Sequence, residues 1–321
     1  MTPERMAQLL EPGLRKIYFD GYRERPEIFP QVVGVATSNK HAEHFHRIAG
    51  LTVWPEFKGA VEYEEYEPGQ TYSVRHTTYA KGLQIPYDMA EDDLYGIIGP
   101  RGTGIGGRRA KQLGRGARIR AERLAADMFN NAFDSTKQQL FDGKALCATD
   151  HPILKPSAKD GVTMTVSNKL EYTLTEGAVK EARLLMRQQL DDSGMLMQTD
   201  GRQLLVPPAL EHDALVITMS TQRPGTDYND ANTVRGMLNR DPIVWDYLLD
   251  DNAWFLLDPN IADESLLFFW RIRPMFRSRD DSDHFMLKFV GRMRASVIAA
   301  DWRGIVGSTG TKDIEDNGNG G

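Results

Sequence analysis

One cysteine, Cys147, stands among 321 residues. Its solitude excludes an intrachain disulfide and any multi-cysteine metal site, and it fits a reducing compartment such as a bacterial cytoplasm. Cross-bracing must come from packing. Long apolar runs are missing too: nothing approaches the roughly 20 residues that cross a bilayer, and Met1 to Leu10 has neither a basic leader nor a long apolar stretch. The expectation is a soluble, unsecreted protein with no membrane partner. Positive charge is not in excess, since 45 acidic residues face 39 basic ones for a formal charge of −6. That balance removes the global pull toward phosphate of dedicated nucleic-acid binders, so any contact with DNA is expected to be weak and local. There is no internal repeat of solenoid length. There is no Walker A sequence either, because Gly143-Lys144 is followed by Ala145.

What is present, 40% hydrophobic and 26% charged residues, suits one large or two modest globular domains. The first fifty residues mix aromatic, proline and charged positions without sustained periodicity, through Glu11-Pro12-Gly13 and Phe29-Pro30. They read as an arm whose Ile17, Tyr18, Phe19, Ile28 and Phe29 need cover from their own subunit or a neighbour. Alternation at Val61 to Tyr66, a turn at Glu67-Pro68-Gly69-Gln70 and Thr/Val-rich Tyr72 to Tyr79 read as a long hairpin closing near Pro86. Its polar faces suit a projecting arm that pairs with another subunit. A glycine-rich stretch leads into a helix expected over 108–134, with Leu113, Ala117, Ala121, Leu124, Met128 and Ala132 in one apolar stripe. Its other faces carry Arg108, Arg109, Lys111, Arg115, Arg118, Arg120 and Arg123, softened by Glu122 and Asp127. Thr173-Leu174-Thr175-Glu176 has capping-box spacing and predicts a helix to about Leu190. A strand over Arg202 to Val206 and a helix over Ala209 to Ser220 follow. Strand-like runs come at Ile243 to Leu248, Trp254 to Leu257, Leu266 to Ile272, Phe285 to Met293 and Ala295 to Ala300. The glycine-rich tail, 308–321, is expected to be disordered. The fold class is α+β.

Three motifs invite chemistry. Gly102-Thr103-Gly104-Ile105-Gly106-Gly107 satisfies G-x-G-x-x-G, but an acidic helix start and Pro100 precede it instead of a buried strand, so a flexible joint at Gly102, Gly104, Gly106 and Gly107 is the preferred reading. His41, Glu43, His44 and His46 are metal-ligand types, yet their spacing is not that of H-E-x-x-H, and a polar surface loop is preferred. Cys147, Asp150 and His151 are the residue types of a thiol hydrolase, against a buried cysteine acting as a small hydrophobe. Trp270 and Trp302 read as core. No catalytic residue, cofactor or metal is assigned.

Eight segments in order resemble the tailed-bacteriophage major capsid proteins of the Mu-like type. They are His76-Thr77-Thr78-Tyr79, Glu91-Asp92-Asp93-Leu94-Tyr95-Gly96, the run from Asp142 to Pro152, Val206-Pro207-Pro208-Ala209-Leu210-Glu211, Arg223-Pro224-Gly225-Thr226, Asp251-Asn252-Ala253-Trp254-Phe255-Leu256, Phe268-Phe269-Trp270-Arg271 and Asp301-Trp302-Arg303-Gly304. The resemblance implies the Hong Kong 97-type capsid fold. Its parts would be an N-terminal arm (1–50), an E-loop hairpin (51–86), a peripheral domain with a spine helix (87–170), an axial domain (171–257) and return strands of the peripheral domain (258–307).

The same resemblance implies a structural subunit, not an enzyme, that assembles with itself into pentamers and hexamers around double-stranded DNA. It also implies portal and possible decoration partners, and assembly in the host bacterial cytoplasm before residence in the virion capsid. No lysine, asparagine and glutamate set suggests a subunit crosslink, and the chain begins almost directly with the arm, which implies a separate scaffolding protein. Tyr63, Tyr66, Pro68, Gly69, Tyr72, Arg115 and Arg118 are the expected interface residues. The alternatives are an encapsulin-type nanocompartment shell, a thiol enzyme using Cys147 and His151, and a DNA binder using the arginine-rich helix.

Overall fold

The computed structural model describes residues 3–48, 54, 56–57, 59, 61, 63, 68–92, 104–153, 165–222, 231–238, 240–281 and 286–313. Its helices are α1 (Pro3–Tyr22), α2 (Tyr87–Glu91), α3 (Ile105–Asn130), α4 (Glu176–Arg187), α5 (Glu211–Met219), α6 (Thr233–Leu238) and α7 (Pro259–Ser265). The strands are β1 (Gly34–Thr37), β2 (Ala42–Ile48), β3 (Pro68–Arg75), β4 (Thr77–Pro86), β5 (His151–Pro152), β6 (Thr165–Val166), β7 (Lys169–Tyr172), β8 (Gln203–Val206), β9 (Ile243–Val244), β10 (Trp254–Leu257), β11 (Leu266–Asp281), β12 (Met286–Ala299) and β13 (Ile305–Lys312).

The N-terminal stretch is not an irregular arm. Residues 3–22 form α1 despite Pro12, which removes one helical N–H. Burial decides the outcome: Leu14, Ile17 and Tyr18 join Ala110, Phe276, Leu287 and Phe289 in one apolar cluster, so the subunit's own body supplies the cover. Two glycines permit the approach of α1 to α3. A Cβ on Gly114 would lie 1.9 Å from the Tyr18 carbonyl oxygen, and one on Gly21 would lie 2.3 Å from that of Lys111.

The α3 helix starts three residues before the expected position and ends four before it, at Asn130. It lies on a four-stranded sheet of order β1-β11-β12-β4. The antiparallel pairing of β11 with β12 runs from Leu266↔Ala299 to Asp281↔Met286. Register shifts between Trp270 and Met275 accommodate Pro274, which has no N–H to give the ladder. Strand β11 therefore continues well past Ile272. What reads in sequence as two strands, Phe285 to Met293 and Ala295 to Ala300, is the single strand β12.

A five-stranded sheet, order β7-β13-β10-β8-β9, forms the second layer. Leu204, Val206, Trp254, Leu256 and Val306 face helices α4, α5 and α6, whereas Leu205, Phe255, Leu257 and Ile305 face the cluster containing Phe129, Leu146 and Trp245. Both faces are covered, which is why β8 and β10 are continuous apolar runs instead of alternating ones. Two expectations change here. Residues 308–312 are not a disordered tail: they complete β13, pairing antiparallel with β10 and parallel with β7. The last expected return strand thus belongs to this second sheet. The α4 cap is Thr175, whose hydroxyl accepts from the Ala178 N–H at 3.2 Å, and not Thr173, whose hydroxyl donates to Asp313. Only two residues of the expected Ile243 to Leu248 strand are in the sheet, because the backbone turns inward at Trp245.

Candidate functional site

The projecting element is a hairpin of different register from the expected one. Its arms are β2 and β3, paired from Ala42↔Arg75 to Ile48↔Pro68. Pro68 and Gly69 stand in the ladder and not at a turn, because β2, whose polar alternation of His44 and His46 reads as a loop, supplies the partner strand. Tyr72 pairs opposite Phe45, and the Phe45 ring lies 5.8 Å from that of Phe269, which roots the hairpin on the sheet. At the far end Trp54 is 90%, Phe57 73%, Val61 63% and Tyr63 89% exposed. Tyr66 lies outside the described residues. Four large apolar side chains on one projecting segment form the kind of patch that a partner surface covers.

At the hairpin's root a single residue, His76, separates β3 from β4. Its Nδ1 lies 2.9 Å from Ser296 Oγ and its Nε2 3.0 Å from Ser38 Oγ, so the ring ties three strands' ends together. Burial first, and the neighbouring Arg294 next, hold its pKa below the ordinary imidazole value.

The arginine-rich helix is already partly engaged within the subunit. Glu24 accepts from the Arg115 guanidinium through both carboxylate oxygens and pairs with Lys111 at 3.1 Å. These contacts lower its pKa to about 2. Arg120 stacks over Tyr79 at 4.4 Å and Arg123 lies 5.9 Å from the Tyr247 ring. Arg118 is half-buried, with a buried Nε that has no hydrogen-bond partner among the described residues.

Glu122 is not an outward softening charge but a fully buried staple. It accepts from the Ile28 N–H at 2.7 Å and from Trp245 Nε1 at 2.8 Å, joining the N-terminal region, α3 and the loop after β9. Burial raises its pKa. The signal for this was its place at i, i+3 and i+7 with Ala125 and Phe129, a line parallel to the main apolar stripe.

Of the glycines read as a joint, Gly102 lies outside the described residues. Gly104 is the extended N-cap of α3, and Gly106 and Gly107 are buried in its first turn.

The thiol reading finds no support in the geometry. Cys147 is buried against Gly307, and burial pushes its thiol up to about 12, so it is neutral. Both ring nitrogens of His151 are engaged, Nδ1 with Asp142 at 2.7 Å and Nε2 with Asn168 Oδ1 at 3.1 Å, while the ring stacks on Trp302 at 4.4 Å. Asn168, a residue without a sequence signal, also donates to the carbonyls of Leu146 and Trp302. This is a packed polar knot that joins the loop before β5 to the loop before β13. Asp150 pairs instead with Lys144 on the surface. Glu43 pairs with Lys40, and among the described residues no three His, Cys, Asp or Glu side chains are gathered to hold a metal.

An α+β subunit with two sheets, a long helix and an aromatic-tipped hairpin is a building block, and the comparisons agree. Residues 70–308 match the family described as Phage capsid protein. The chain belongs to that family. No curated protein matches it in sequence. The fold is similar to the procapsid of bacteriophage JBD30 (TM-score 0.55, 16% identity, covering 98% of this chain and 78% of that one). It is also similar to a virus-like particle from Pyrococcus furiosus (0.55, 10% identity, 92% and 98%) and to the capsid of cyanophage P-SCSP1u (0.53, 10%, 88% and 88%). The fold is thus that of Hong Kong 97-type phage capsids, and the chain is a structural capsid protein.

Proposed function

We propose that this chain is the major head protein of a tailed phage or prophage of the Mu-like type, closing with its own copies as pentamers and hexamers around double-stranded DNA. The observation that carries the reading is the hairpin tip, where Trp54, Phe57 and Tyr63 stand almost bare on a chain of family and fold that build shells. Many modest, repeated contacts of this kind sum to a stable closed shell. The sheet around α3 acts as the peripheral domain and the five-stranded unit as the axial domain near the capsomer centre. With a formal charge of −6 the wall grips its DNA weakly, which suits filling and release. Scaffolding, portal and decoration proteins are the remaining partners, and assembly takes place in the host cytoplasm. The glycines before and within the start of α3 let helix and hairpin reorient as the shell expands.

Electron microscopy of the purified chain, alone and with the scaffolding protein, tests this. Uniform shells, capsomers or tubes are expected, and a monodisperse monomer under every condition overturns it. The likeness to a virus-like particle keeps a second reading open, a shell that encloses protein instead of DNA. Neighbouring portal and terminase genes favour the first reading, and a neighbouring cargo-enzyme gene the second.

A further inference from the structure

A groove of about 820 Å³ opens between α3 and the last strand of the four-stranded sheet. Small residues, Gly82, Gly116, Ala117 and Gly291 among them, keep its floor low, and Lys81, Arg109, Arg120 and Arg292 stand exposed along its sides. No acidic residue lines it, and among the described residues no carboxylate is ion-paired with any of these four cations. One wall is β4, which ends the strand order β1-β11-β12-β4 and pairs only with β12. Its outer backbone N–H and C=O groups are therefore an open template for a further strand.

The chain itself contains a segment of matching chemistry. Residues 61–67 read Val-Glu-Tyr-Glu-Glu-Tyr-Glu, four glutamates on β-forming valine and tyrosine. Val61 and Tyr63 are exposed, so in the isolated subunit they do not lie in the groove. Seven extended residues span roughly 23 Å, against about 33 Å for the ten residues of β4. The eight residues of β3 hold the segment about 26 Å along the chain from its own β4, so the groove it meets is another copy's.

We propose that this groove receives residues 61–67 of a second copy, which add as a strand along β4 while their glutamates meet Lys81, Arg109, Arg120 and Arg292. The inference rests on the reading of the chain as a shell subunit, and adds which surface receives the hairpin. Contacts between exposed charges are individually weak and screened by salt, which suits a joint that must form and reform during closure.

Two measurements on the full-length chain test it. In the first, a fluorescent peptide of residues 59–69 is titrated against the chain. Binding that weakens at least tenfold in R120E, and again on raising salt from 0.05 to 0.5 M, is expected. No binding to the wild type, or equal binding to R120E, overturns the inference whether or not shells form. In the second, the yield of shells is counted by electron microscopy for K81E/R120E, for E64K/E65K and for the chain carrying all four changes, with thermal melting as the control of folding. Each pair of changes should lower the yield at least tenfold while the subunit melts as before, and the combined chain should recover it. If both pairs assemble like the wild type, or the folded combined chain recovers nothing, the groove is not the receptor. A wild type that binds the peptide but never assembles would instead count against the capsid reading.

Discussion

The two sheets of this subunit follow opposite rules. Strands β8 and β10 are buried along their whole length and sandwiched between helices on one side and the Phe129 cluster on the other. The strands of the four-stranded sheet are longer, alternate buried with half-buried positions along β12, and end on the open edge of β4. A sheet covered on both faces has nothing left to offer a partner and spends its apolar surface on its own stability. A sheet with one open edge and a projecting hairpin keeps contact surface for other copies. Division of labour within one chain, stability in one layer and assembly in the other, is what this difference teaches.

Substitutions should divide accordingly. The largest effect is expected from Trp254→Ala in β10, which empties a fully buried site and removes the donor to the Tyr172 carbonyl. A loss of about 3–5 kcal/mol is expected, seen as a large fall in melting temperature or as insoluble protein. Glu122→Leu comes next, since it orphans the Ile28 and Trp245 N–H groups where the two layers meet. About 2–4 kcal/mol in chemical denaturation is expected, with Glu122→Gln milder because it keeps an acceptor.

At the hairpin's root the effect depends on pH. His76 has a lowered folded-state pKa, so its neutral form is the one that folding favours. The stability it contributes is complete above the unfolded-state value of about 6.5 and is lost as pH falls from there through the lower folded-state value. Arg294, Arg271 and His41 act in that direction and Glu43 opposes them. Melting curves between pH 7.5 and 5 should show a slope that His76→Gln flattens; an unchanged slope would refute this role. The Glu24 pair with Arg115 and Lys111 is exposed, so Glu24→Gln should give the smallest shift in melting, one that disappears at high salt. The comparison is sharpest at Trp54→Ala, which should leave the subunit's melting unchanged and yet reduce the yield of shells.

Legibility in the sequence followed the same division. The apolar runs of β8 and β10 and the stripe of α3 were readable because burial writes itself into composition and period. The hairpin was readable as an element but not in register: its second partner, β2, is polar on both faces and carries no alternation of its own. Tertiary contact overrode local signals in three places. Pro12 and Gly13 read as a break until Leu14, Ile17 and Tyr18 find α3. Thr173 and Thr175 both satisfy a capping pattern, and the β7 to β13 pairing that holds Thr173 by its backbone N–H leaves Thr175 to cap. The polar, glycine-rich 308–312 looked disordered and is a strand because β10 and β7 flank it. Among the functional residues, Tyr63 and Tyr72 could be placed from sequence, whereas His76 and Glu122 could not, since their roles depend on partners 220 and 123 positions away.

By itself the sequence determined the α+β class, the long helix, the buried strands and, through its ordered motifs, the family, because these depend on local period and composition. Only the tertiary structure decided that α1 docks, that β2 completes the hairpin, that Glu122 turns inward and that a basic groove borders an open strand. Each of those depends on surfaces distant in the chain meeting, and a one-dimensional pattern does not encode where a surface will find its partner.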